Sequence, residues 1–107
     1  VVAIFLDEGA DNPALQSVWD HLSDKIGSQE INAQVDANDF LPSVQTTYRY
    51  SGSLTTPPCT EGVSWLVMTS PATVSSEQIT AFQNLYEGNN RPVQPLNGRD
   101  LSLDSTP

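Results

Sequence analysis

Thr55 and Thr56 stand side by side ahead of Pro57-Pro58, and Cys59, the only cysteine, follows directly. Each threonine hydroxyl donates one hydrogen bond and accepts two. A hydroxyl on a rigid loop can orient a nucleophile by accepting its hydrogen bond while donating its own to a carboxylate. The two prolines restrict the chain just after the hydroxyls, and an X-Pro bond at this point can be cis. Taken alone, a Thr-Thr-Pro-Pro turn is more often structural than catalytic. The single thiol cannot close an internal disulfide. It reads either as an inert buried thiol or, in a secreted protein, as half of a bond to another chain. His21, the only histidine, lies between Asp20 and Leu22 with no clustered cysteine, histidine or carboxylate partner, which makes a poor transition-metal site. It reads as a solvated helix residue.

The elements that position the threonines are strands. Thr46-Thr47-Tyr48-Arg49-Tyr50 alternates and is rich in β-formers, and Val63 to Thr69 is a second such run with Val63, Trp65 and Val67 on one face. The stretch between them is a rigid connection presenting hydroxyls at a fixed place, where functional groups tend to sit.

The chain of 107 residues suits one modest domain. Thirteen acids against four bases give a net charge of −9, which argues against nucleic acid, since phosphate binding needs clustered cations. No apolar run approaches the ~20 residues that span a bilayer. Apolar content is 37%, lean for a core of this size, so stability is expected to be marginal.

Val1 to Leu6 is continuously apolar, the pattern of a strand buried on both faces. It opens without a methionine, turn or cap, and the favoured reading is a C-terminal piece of something longer. Asn12-Pro13 is a helix start. Leu15, Val18, Trp19, Leu22 and Ile26 form one helical stripe, with Gly27 as the stop. Gln29 to Asn38 is polar loop or a short edge strand, and Phe40-Leu41-Pro42 pins the chain to a core. Ser70-Pro71 breaks the second strand. Val74-Ser75-Ser76-Glu77-Gln78-Ile79 carries a capping box from Ser75 to Gln78. Ile79, Phe82 and Tyr86 make that helix's apolar face, and Gly88-Asn89-Asn90 ends it. Arg91 to Leu96 is extended by its prolines, Asn97-Gly98 is a turn signal, and Arg99 to Leu103 is a candidate last strand. The pattern is α+β with long connections and strand edges in want of partners.

The string Gly52-Ser53-Leu54-Thr55-Thr56-Pro57-Pro58-Cys59-x-Glu61-x-Val63-x-Trp65 resembles the signature of α-class carbonic anhydrases. The likeness extends to Ile4-Phe5-Leu6-x-x-Gly9, Asn12-Pro13-x-Leu15-Gln16, Leu41-Pro42, Tyr48-x-Tyr50, Val74 to Gln78 with Phe82, and Asn90-Arg91-Pro92-x-Gln94-Pro95-Leu96-x-x-Arg99. It covers essentially the whole chain and corresponds to the family's C-terminal half. The resemblance implies the C-terminal portion of a large, mostly antiparallel, twisted β-sheet with peripheral helices. Residues 1–107 would be the C-terminal part of one domain, incomplete without an N-terminal half.

The resemblance also implies roles. Thr55 matches the threonine that accepts a hydrogen bond from zinc-bound hydroxide, and Thr56 its neighbour beside the bicarbonate site. Leu54, Val63 and Trp65, with Val1 at the chain end, match walls of the apolar carbon dioxide pocket. Cys59 matches a cysteine that bonds to the N-terminal half in secreted and bacterial members. Glu61 matches a family glutamate, read here as structural. Zinc, held by three imidazoles, would generate hydroxide near neutral pH. Those histidines, the threonine's acidic partner and the proton-shuttling histidine belong to the N-terminal half. The expected function is therefore zinc-dependent reversible hydration of carbon dioxide to bicarbonate, by this chain assembled with a separate or cleaved N-terminal half. The chain alone is expected to be inactive. Location is expected to be secreted or periplasmic. Two other readings stand beside it: a non-catalytic carbonic-anhydrase-like binding or storage protein, and a free-standing α+β domain that shares the motif.

Overall fold

A computed structural model of the chain describes residues 1–106. In order, the elements are β1 (Val2–Ala3), β2 (Leu6–Glu8), α1 (Pro13–Trp19), a 3₁₀ turn at Ala37–Phe40, β3 (Thr47–Ser53), β4 (Glu61–Met68), β5 (Ala72–Val74), α2 (Ser76–Gln83) and β6 (Ser102–Asp104). They fall into two compact units. One holds Val1–Phe5, Pro42–Pro71 and the chain from Asn89 onward; the other holds Leu6–Leu41 and Ala72–Gly88.

The first unit is a four-stranded mixed sheet in the order β1-β4-β3-β6. Strands β3 and β4 form an antiparallel hairpin, with Tyr50 opposite Trp65 and Gly52 opposite Val63. Ser53 then pairs with Glu61, which leaves Gly62 as an extra residue in β4. Its φ of +86° lies in the left-handed region, which glycine enters without a side-chain penalty and which suits a bulge. Strand β1 joins β4 in parallel, and β6 joins β3 antiparallel. Arg49 Nη2 meets Asp104 Oδ2 at 2.7 Å across the β3–β6 pair. Arg99 ties the C-terminal segment to the hairpin. Its guanidinium donates to the carbonyls of Leu96, Pro95 and Ser51 at 2.9, 3.0 and 2.9 Å, and lies over the Tyr50 ring.

The second unit joins two capped helices to a parallel strand pair, β2 with β5. Asn12 caps α1 by accepting from Leu15 N, with Pro13 in the first turn. Ser75 and Gln78 complete the capping box of α2. The buried Gln78 side chain does more than cap. Its Oε1 accepts from Asn12 N and Ser75 N, and its Nε2 donates to Asn12 O and Gln16 Oε1. The starts of both helices are thereby joined through one amide. Trp19 donates to Gln78 O at 2.8 Å and stacks on Phe82.

The cores are thin. Met68 and Val74 are the buried apolar residues among those described, and Thr47, Ser75 and Gln78 are buried with them.

Several elements depart from the sequence reading. Val1 to Leu6 is not one buried strand. It divides at Ile4-Phe5 between β1 and β2, which belong to different sheets, and Phe5 is 62% exposed. Strand β1 lies at the edge of its sheet, and Val1 and Val2 are each 52% exposed. Helix α1 stops at Trp19, not at Gly27: the amides of His21 and Leu22 turn back to the carbonyls of Val18 and Trp19. The polar Ser23-Asp24-Lys25 run offers nothing to bury, and Ile26 is wholly exposed. Helix α2 ends at Gln83, before the glycine stop at Gly88, with the Leu85 amide bonded to Phe82 O. Strand β5 was not foreseen. Strand β4 ends at Met68, ahead of Ser70-Pro71, and Ala72–Val74 finds a partner in β2, remote in sequence.

Candidate functional site

The connection between β3 and β4 is shorter and tighter than the two sequence runs suggest, because both strands extend into it. Leu54 N donates to Thr60 O at 2.9 Å and closes the loop. Inside it, Cys59 N donates to Thr56 O at 2.8 Å across the cis Pro57–Pro58 bond, and Cys59 takes a positive φ of 57°. Thr55 and Thr56 are exposed on this frame, and their hydroxyls hydrogen-bond to no other described residue. Leu54 beside them is 43% exposed. Cys59 is half-buried with a free thiol, and Glu61 is exposed at the start of β4.

Val1, Val63 and Trp65 are brought onto one sheet face. The Val1 terminal amine donates to Ser64 O at 2.8 Å, and Leu66 N donates to Val1 O at 2.9 Å, so Val1 sits opposite Trp65 in the parallel ladder. Val63 lies two residues from Trp65 on the same strand, and successive side chains alternate between faces. Val63 and Trp65 are half-buried; Val1 is 52% exposed. The Trp65 indole is held on two sides. Its Nε1 donates to Ser53 O at 3.0 Å, and its ring stacks on Tyr50 with a 9° interplanar angle.

Three residues of this arrangement carried no role in the sequence reading. Gly52 leaves the space that the Trp65 ring fills. Arg91 Nη1 donates to Ser53 Oγ at 2.9 Å, beside the loop. Tyr50 supports the indole. A glycine inside a strand is the one signal that pointed here, since it often marks a close approach by another group.

Among the described residues no group of three or more His, Cys, Asp or Glu is gathered to hold an ion. His21 is exposed in the turn after α1, and it and Cys59 belong to different units. The residues present do not fit a zinc site. An open depression along α2, lined by Ser76, Glu77, Thr80, Ala81 and Asn84, has one carboxylate and no converging donors for a reacting group.

The family model described as eukaryotic-type carbonic anhydrase matches residues 1–105. The chain belongs to that family. It is 45% identical over 101 residues to the carbonic anhydrase of Pectobacterium carotovorum, covering 92% of this chain and 41% of that protein. It is 48% identical over 103 residues to the carbonic anhydrase of Nostoc sp., covering 92% and 38%. Among solved structures, the α-carbonic anhydrase of Thermovibrio ammonificans, in complex with the inhibitor sulfanilamide, superposes with a TM-score of 0.87 at 43% identity. That match covers 94% of this chain and 45% of the other. The chain thus spans less than half the length of these relatives. The family is zinc-dependent in general, and the mixed sheet with few helices agrees with the fold of its members.

Proposed function

We propose that this chain is the C-terminal part of a single α-carbonic-anhydrase domain and takes part in the reversible hydration of carbon dioxide to bicarbonate. In this reading the sheet described above is a portion of a larger, mostly antiparallel one with peripheral helices. The zinc ligands come from an N-terminal half, on a separate or cleaved chain. Thr55 orients the attacking hydroxide by accepting its hydrogen bond, a positioning contribution. Thr56 lies beside the bicarbonate product. Leu54, Val63, Trp65 and Val1 line the apolar pocket for carbon dioxide. Cys59 bonds to a cysteine of the N-terminal half, which places the assembled protein in an oxidising compartment, secreted or periplasmic.

The observation that supports this most directly is the hairpin itself. Its register fixes a loop with two exposed, unengaged threonine hydroxyls at the end of a ladder whose one face carries Val1, Val63 and Trp65. A hydroxyl donor and acceptor beside an apolar surface suits a small apolar substrate attacked by an oxygen nucleophile.

Two measurements test the reading. The isolated chain should show no carbon dioxide hydration above buffer by stopped flow and no tight zinc. A chimaera in which this chain replaces the matching 101 residues of the Pectobacterium carotovorum protein should bind about one zinc and be active. A chimaera that holds zinc yet does not hydrate carbon dioxide would favour the non-catalytic binding or storage reading.

A further inference from the structure

We infer that Asn97 is a site of spontaneous deamidation, and that its conversion releases Arg99 from the β3–β4 hairpin. The inference is independent of the proposed catalytic role.

Of the seven asparagines in the chain, only Asn97 is followed by glycine. The others are followed by Pro13, Ala33, Asp39, Leu85, Asn90 and Arg91. Proline offers no N–H to act as a nucleophile, and the rest carry a Cβ that crowds the attacking amide. Asn97 and Gly98 are both exposed. Neither the Asn97 side chain nor the Gly98 amide hydrogen-bonds to another described residue, whereas the side-chain amides of Asn12 and Asn38 are engaged with Thr73 O and Asp36 Oδ1.

The chemistry needs only water and hydroxide. The Gly98 nitrogen loses its proton to hydroxide and attacks Cγ of Asn97. The bond from Cγ to the side-chain nitrogen breaks, and that nitrogen leaves as ammonia with a proton from water. A succinimide ring remains. Water then opens the ring at either carbonyl, giving aspartate or isoaspartate. The balance is one water consumed, one ammonia released and one negative charge gained, with no change of oxidation state.

The surrounding turn sets the pace and the consequence. Asn97 and Gly98 have φ of 51° and 80°, and Arg99 N donates to Leu96 O at 3.0 Å, a two-residue turn of the type that Asn-Gly favours. Ring closure requires rotation about the Asn97 backbone, so reaction proceeds when this turn opens. Isoaspartate lengthens the main chain between Leu96 and Arg99 and cannot close the same turn. Arg99 depends on that turn for its bonds to Leu96 O, Pro95 O and Ser51 O and for its place over Tyr50.

The test holds the full chain at mildly alkaline pH and follows it by ion exchange, peptide mapping and thermal unfolding. The acidic product with the mass increment of amide-to-acid conversion should map to Asn97 several-fold ahead of every other asparagine. It should form faster at higher pH and in denaturant, and melt at a lower temperature than the parent. Asn97→Gln should remove this product. Gly98→Ala, compared with the parent in denaturant so that any folding defect drops out, should slow it several-fold. Earlier conversion at another asparagine, or equal rates for Gly98→Ala and parent in denaturant, would overturn the site. An unchanged melting temperature of the isoaspartyl form would overturn the release of Arg99.

Discussion

Gly52 and Trp65 are in contact across the hairpin: a methyl group on Gly52 would lie 2.8 Å from Cδ1 and 3.0 Å from Nε1 of Trp65. No Cβ fits there without displacing the indole. The same ring donates to Ser53 O and stacks on Tyr50, so it has little freedom to move aside. Gly52→Ala should therefore destabilise the chain by about 1–3 kcal/mol, the usual cost of overpacking. A lowered urea midpoint together with an altered tryptophan emission is the expected result. A midpoint equal to wild type would mean that the indole yields freely.

Gln78 is the polar counterpart in the second unit. Replacing it with leucine removes the reciprocal half of the capping box and strands the amides of Asn12 and Ser75. Gln78→Leu should cost about 2–4 kcal/mol from these unmet donors. Chemical denaturation followed by far-ultraviolet circular dichroism measures it, and loss of both helices together is expected, because one amide serves both starts.

Thr55→Ala is best measured in the active chimaera. On the proposed role of Thr55, removing the hydroxyl takes away the acceptor that orients the nucleophile, and kcat/KM for carbon dioxide hydration should fall about 100-fold. Thr55→Ser should retain most of the activity, and zinc content should be unchanged in both. Equal activity of the alanine variant and the parent would remove Thr55 from the mechanism.

Asp104 governs a small acid-dependent contribution. Its carboxyl is held below the ordinary carboxylate range, chiefly by the Thr106 hydroxyl and amide, with Arg49 adding to the effect. A group with a lowered folded pKa binds fewer protons folded than unfolded. Its contribution is complete above the unfolded value of about 3.9 and is lost as pH falls through the lower folded value. The stability gap between wild type and Asp104→Asn should therefore be widest near neutral pH and close below about pH 4. It should also be modest and shrink with added salt, because Arg49 is exposed and Asp104 only half-buried, so water and ions reach the pair. A gap that widens in acid would reverse the assignment.

The features legible in the sequence are those set by residues close together along the chain. Asn12-Pro13 and Ser75 with Gln78 cap helices through bonds spanning three residues, and Asn97-Gly98 turns the chain through its own backbone preferences. The two strands around Thr55 follow from alternation and β-branching. The Gly52 to Trp65 string, with the matching stretches on either side of it, pointed to the family that the comparisons then showed.

Tertiary structure decided whatever depends on a distant partner. The apolar run Val1–Leu6 looks uniform, yet its first part pairs with β4 and its last residue begins a strand beside β5, so it is divided. Ile26 completes a helical stripe on paper, but no surface awaits it and the helix ends at Trp19. Gly52 and Trp65 are separated by a hairpin, and only the register with its extra residue at Gly62 brings them into contact. The physical reason is the same in each case: periodicity states which side chains seek burial, while the paired backbone determines which of them find it.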